Sequence, residues 1–152
     1  STTDRENTIV REFGVPVAAL YTAFTTPEHT RRWFGPVGWP LTLCEMDFRV
    51  GGKWRFAMTG DSGVQSTPFG GTYLEIVPNR RIKFDNSFEE EGSKTMIMTW
   101  DYEDLGARSR LTMTTLFESV AMKNEYLAYG MEEGVASSFD QLAEVAAEIA
   151  HH

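Results

Sequence analysis

The sequence predicts an α+β domain in which a curved antiparallel sheet of about seven strands wraps a long C-terminal helix, with two short helices after the first strand. Three observations predict it. From Trp39 to Phe117 apolar residues recur with a period of two, and turn signals interrupt the run roughly every ten residues. After Ser119 the period lengthens to three or four, the spacing of one helix face. Between the first strand and the sheet, Pro16 and Pro27 each open a short segment with helical spacing.

The opening segment ENTIVREF sets Ile9, Arg11 and Phe13 against polar neighbours and stops at Gly14, the pattern of an edge strand. In VPVAALYTAF, Pro16 suits a first helical turn because its missing N–H would find no partner there, and Val17, Leu20, Tyr21 and Phe24 follow at helical spacing. Thr26-Pro27-Glu28 repeats the signal with a hydroxyl to cap, a proline and an acid, so a second short helix is expected to run to about Trp33. Six strands follow as a meander over 40–50, 53–59, 69–77, 80–88, 94–103 and 108–117. They are separated by Gly51-Gly52, the stretch from Gly60 to Gly63, Pro78-Asn79, Glu91-Gly92-Ser93 and Leu105-Gly106. Gly51-Gly52 has neither P-loop lysine spacing nor a following helix, which makes it a tight hairpin rather than a phosphate cradle. Leu127, Met131, Val135, Phe139, Leu142, Val145 and Ile149 then form the apolar stripe of one long helix, with Glu132, Glu133, Asp140, Glu144 and Glu148 on its solvent side.

At 152 residues the chain is expected to form a single domain over 1–150. His151 and His152 resemble a purification-tag remnant, and Ser1 a cleavage scar. Twenty-two acids against 14 bases give a net charge of -8, and no run of Lys or Arg could neutralise several phosphates, so nucleic acid is excluded as a partner. No apolar stretch is long enough to cross a bilayer, and no membrane partner is expected. The single Cys44 and the lack of a signal-like N-terminus point to the cytoplasm. ENTIVREF offers an edge through which a homodimer could form.

With the bulkier parity turned inward, the concave face receives Trp54, Phe56 and Met58, then Phe84 and Phe88, then Met96, Met98 and Trp100, then Leu111, Met113 and Phe117. In LTLCEMDF two sets compete, Leu41 and Leu43 against Cys44, Met46 and Phe48. Opposite this wall the helix presents Gly130, Gly134, Ser137 and Ser138, although an interior glycine costs about 1 kcal/mol relative to alanine. Either the helix backbone approaches the sheet closely there, or the small residues leave room for a guest. The aromatics and methionines admit the same two readings, an ordinary core or the lining of a cavity suited to a flat apolar molecule.

TTPEHTRRWFGP (25–36), CEMDFRVGGKWRFAM (44–58), GGTYLEIVPNRRIKF (70–84) and GMEEGVASSFDQLAE (130–144), in this order and spacing, resemble the START-like, or SRPBCC, superfamily of helix-grip proteins. The closer likeness is to its branch of homologues of the activator of heat-shock protein 90 ATPase, and it extends over nearly the whole chain. The resemblance implies a bent sheet gripping the C-terminal helix around a hydrophobic cavity. Phe34 stands where the branch commonly has a second tryptophan, and Val135 where an aromatic often follows the glycine, which implies a reshaped cavity. The eukaryotic co-chaperone carries a separate N-terminal domain for which this chain has no room, so a chaperone partner ranks below a small hydrophobic molecule.

The residues themselves provide little for catalysis. His29 is the only histidine in the body of the chain, and neither it nor Cys44 has a companion at metal-ligand spacing, so no metal site and no cofactor are expected. If chemistry occurs, the resemblance implies the ring-closing and dehydrating type, cyclase or aromatase action on a polyketide-like substrate, in which acids and phenols in an apolar cavity move protons. The candidates are Asp47, Tyr73, Glu75, Asp101 and Glu133, with an ion pair between Asp47 and Arg49 ranking above a catalytic role for Asp47. The leading expectation is binding without chemistry, by Trp33, Phe56, Met58, Phe84, Phe88, Met98, Trp100 and Met113, with Gly134 and Phe139 on the helix and Tyr73 supplying one polar contact.

Overall fold

A computed structural model describes residues 2–151; Ser1 and His152, assigned above to a scar and a tag, lie outside the described residues. After a 3₁₀ turn, strand β1 (Glu6–Phe13) leads into helices α1 (Val17–Thr25) and α2 (Pro27–Trp33). The meander follows as β2 (Leu41–Met46), β3 (Lys53–Met58), β4 (Phe69–Val77), β5 (Arg81–Phe88), β6 (Met96–Leu105) and β7 (Arg108–Leu116). Two helices, α3 (Val120–Ala128) and α4 (Met131–Ala150), close the chain. All strand pairs are antiparallel, in the order β1-β7-β6-β5-β4-β3-β2, so β1 is an edge strand as its pattern predicts.

The short helices start where the prolines stand. Pro16 precedes α1, and its carbonyl accepts from the Ala19 and Leu20 N–H groups; Pro27 opens α2. The Thr26 hydroxyl does not cap α2. Its carbonyl does the work instead, accepting from the backbone N–H groups of His29 and Thr30 and from the Thr30 hydroxyl.

Two strand bulges resolve the inward parity. In β2 the register steps from Leu41 opposite Met58 to Leu43 opposite Ala57, leaving Thr42 as the extra residue. Leu41 before the bulge and Cys44 after it are therefore both buried, so the two competing sets each supply an inward residue. In β4 the register steps from Tyr73 opposite Phe84 to Glu75 opposite Lys83, and Leu74 is extruded. Tyr73 and Ile76 turn inward, while Glu75 faces Lys83 on the outer surface, with Arg81 3.8 Å away.

β2 ends at Met46 rather than at residue 50, because the chain folds back on itself there: the Arg49 N–H donates to Asp47 O, and the Gly52 N–H to Arg49 O. Gly51 adopts a left-handed φ of 85°, and a side chain on Gly52 would overlap the Asp47 carbonyl. The Gly51 N–H donates to the Tyr73 carbonyl, and the Tyr73 N–H donates to that of Gly52. The glycine pair thus ties the turn to β4.

The single long helix expected after Ser119 is two. The Ser119 hydroxyl caps α3 by accepting from the Met122 N–H at 3.1 Å. The helix then stops at Tyr129, and Gly130, at φ 87°, starts α4. A left-handed residue cannot continue a right-handed helix. α4 buries Phe139, Leu142, Val145 and Ala146. The Phe139 ring meets Phe13 of β1 at 6.0 Å and Trp100 of β6 at 5.8 Å, both edge-on, which joins α4 to the sheet.

Candidate ligand-binding cleft

Much of the aromatic wall is core. Phe24 of α1 stacks on Trp100 at 4.2 Å, Trp54 meets Phe84 edge-on at 5.3 Å, and Phe34 meets Phe56 at 5.0 Å. Phe56, Phe84 and Tyr73, which meets Phe84 edge-on at 6.4 Å, are buried among other rings, and none of the three lines the cleft. Tyr73 lies at the turn end of the sheet, against Phe48 at 5.0 Å, and burial, with Cys44 and Asp47 nearby, raises its phenol pKa far above the ordinary tyrosine value.

What the rings leave vacant is a cleft of two chambers. The inner, of about 220 Å³, lies between β6, β7 and the first turns of α4. Trp33, Trp100, Met113, Gly134 and Phe139 line it, and so do Phe34 and Val135. The outer, of about 460 Å³, is bounded by Phe69, Asn86, Phe88 and Met96 from the sheet, Ser66 and Thr67 from the loop before β4, and Tyr126 of α3. Met58, Met98 and Met131 line both chambers.

The rim is tied to α4. The Gln141 amide donates to the Gly35 carbonyl at 2.7 Å, and the Val37 N–H donates to the Ser137 hydroxyl at 3.1 Å, holding the Gly35-Pro36 loop over the inner chamber. Gly134 answers the question its presence raises: a Cβ there would meet nothing within 4 Å, so the helix backbone does not press on the sheet at that point. The glycine borders open space.

Among the described residues no charged side chain lines the inner chamber, and Glu90 is the only one lining the outer. Tyr126 is a neutral phenol at ordinary pH, its pKa raised by burial and by the neighbouring Glu125 and Glu90. The carboxylates named from the sequence lie elsewhere. Asp101 is held by Arg81 at 2.7 Å, Asp47 by Arg49 at 3.0 Å, and Glu133 is exposed on α4. His29 borders a surface depression with Arg32 and Glu148. Cys44 is buried, and burial raises its thiol pKa. Among the described residues no three His, Cys, Asp or Glu side chains converge as metal ligands, and no helix is long and apolar enough to cross a membrane.

Of the residues expected to bind, the structure brings together Trp33, Met58, Phe88, Met98, Trp100, Met113, Gly134 and Phe139. Asn86 and Met131 were not among them. Both carried a signal: Met131 belongs to the apolar stripe of α4, and Asn86 is a polar residue at an inward position of β5, after Ile82 and Phe84 and before Phe88.

Residues 14–147 match the family described as Activator of Hsp90 ATPase homolog 1-like protein. The fold is similar to that of a protein from Arthrobacter aurescens, 28% identical, with a TM-score of 0.87 over 97% of this chain and 89% of that one. A protein from Chromobacterium violaceum is 29% identical, with a TM-score of 0.75 over 92% and 96% of the two chains. The AHSA1 protein from Silicibacter pomeroyi, 23% identical, has a TM-score of 0.77 over 94% and 99%. No curated protein matches the chain.

Proposed function

The chain belongs to the family of Activator of Hsp90 ATPase homolog 1-like proteins, and from the cleft its helix-grip fold encloses we propose that it binds a small hydrophobic or aromatic molecule between the sheet and α4. The observation that carries this reading is Gly134. A glycine inside a helix sacrifices stability, and here no close contact requires it; the space beside it opens onto a chamber walled by Trp33, Trp100, Met113 and Phe139. Flat rings offer stacking surfaces, and the methionines shared by the two chambers adapt to guests of different outline.

Cyclase or aromatase chemistry finds less support. The acids named from the sequence are engaged in outer-surface ion pairs or exposed, and the inner chamber has no group that could move a proton at neutral pH.

Trp33 and Trp100 line the inner chamber, so occupancy is read by their emission. Titration with a panel of flat apolar compounds is expected to give saturable quenching that is lost in Gly134→Phe. Absence of any saturable response at high micromolar concentration refutes the reading.

A further inference from the structure

Asn86 is the polar residue among the apolar inward positions of β5. On β5 the inward positions run Ile82, Phe84, Asn86, Phe88, and Asn86 pairs across the sheet with Met96. Its Nδ2 points at the Met98 sulfur at 3.8 Å, a weak acceptor. Its Oδ1 is buried and has no hydrogen-bond partner. Burying a carbonyl without a donor is unfavourable, and an apolar residue would fit this inward position without that penalty. Among the described residues, the other buried side-chain atoms without a partner are Asn7 Nδ2, Trp54 Nε1, Tyr102 Oη and Thr115 Oγ1, on residues that line neither chamber, and Trp100 Nε1, a donor on a residue that lines the inner one. Asn86 differs because it faces the outer chamber.

The charge distribution restricts the guest further. Among the described residues no cation lines either chamber, and an anion in the outer one meets Glu90, on a protein whose net charge is -8. Fatty acids and other carboxylates are therefore disfavoured. Met58, Met98 and Met131 line both chambers, so an elongated molecule that displaces these flexible side chains can reach from one into the other.

Resting on the proposed binding function, we propose that the guest is an uncharged amphiphile. Its apolar end fills the inner chamber, and its hydroxyl or N–H group donates to Asn86 Oδ1 once the amide turns this covered oxygen toward the outer one.

Three probes of one size and different polar ends test this by tryptophan quenching: para-octylphenol, octylbenzene and para-octylbenzoate. The phenol is expected to bind roughly tenfold tighter than octylbenzene, the effect of satisfying one buried acceptor, and the benzoate weakest. In Asn86→Leu the phenol and octylbenzene become equal. In Asn86→Asp, which keeps the shape and the acceptor, the phenol keeps its advantage, so a folding defect in the leucine variant leaves the test intact. Equal binding of the phenol and octylbenzene to the native protein, a preference surviving in Asn86→Leu, or tightest binding by the benzoate overturns the amphiphile assignment and leaves the cleft-binding function standing. If none of the three binds, the cleft-binding function itself fails and the assignment with it.

Discussion

Alanine substitution at two glycines four residues apart is expected to shift stability in opposite directions. At Gly134, the fourth residue of α4, an added Cβ meets nothing within 4 Å, so Gly134→Ala gains the helix propensity difference of about 1 kcal/mol with no steric penalty. For a chain of this length that raises the melting temperature by about 2–4 °C. At Gly130 the backbone is left-handed, and Gly130→Ala costs about 1–2 kcal/mol although space is available around the new atom. Urea denaturation followed by tryptophan emission, together with thermal melts, measures both. A destabilising Gly134→Ala would mean that the helix backbone is closely packed after all, and the argument for a vacant inner chamber would fall with it. The complementary substitution, Gly134→Phe, is expected to keep the fold and abolish quenching by apolar compounds, because its ring occupies the 220 Å³ chamber.

Other predictions follow from the core and its charged periphery. Phe139→Ala removes a ring packed against Phe13 and Trp100 and is expected to cost about 3–5 kcal/mol in urea denaturation; a loss below about 1.5 kcal/mol would show that α4 is not anchored through it. Burial raises the phenol pKa values of Tyr21, Tyr73 and Tyr102, so the folded state keeps protons that the unfolded chain releases. Stability is therefore undiminished below the ordinary tyrosine value of about 10 and falls as pH rises above it, with the phenolate absorbance of the buried Tyr73 and Tyr102 appearing only as the protein unfolds. Hydrogen bonds from Arg108 and then Arg110 lower the Glu12 pKa. Its contribution is present above the ordinary glutamate range and lost as pH falls through the folded value, so Glu12→Gln is expected to flatten the acid limb of the stability profile. Because these groups are exposed the effect is small, and 1 M salt removes most of it.

The elements were legible wherever one residue type dictates backbone conformation. Pro16 and Pro27 mark both short helices, and the period-two runs locate all six meander strands to within a few residues, except at the end of β2. The bulges were not legible, because one extra residue such as Thr42 or Leu74 reverses parity without changing composition, which is why LTLCEMDF reads both ways. Nor does any pattern tell which inward rings fill space and which border it. Phe56 and Trp100 share the same parity argument, yet Phe56 lies behind Phe34 and Trp54 while Trp100 lines the inner chamber, a difference set by the spacing between helix and sheet. Asn86 could have been found, since a lone polar residue in an inward apolar series violates the pattern.

The break at Tyr129-Gly130 gives the cleft a divided construction. Tyr126, on the short α3, lines only the outer chamber, whereas Gly134 and Phe139, on α4, line only the inner. The architecture is in this sense modular: transplanting the nine residues of α3 from a relative would retailor the entrance, and leave the grip of α4 on the sheet, and the deep seat it guards, as they are.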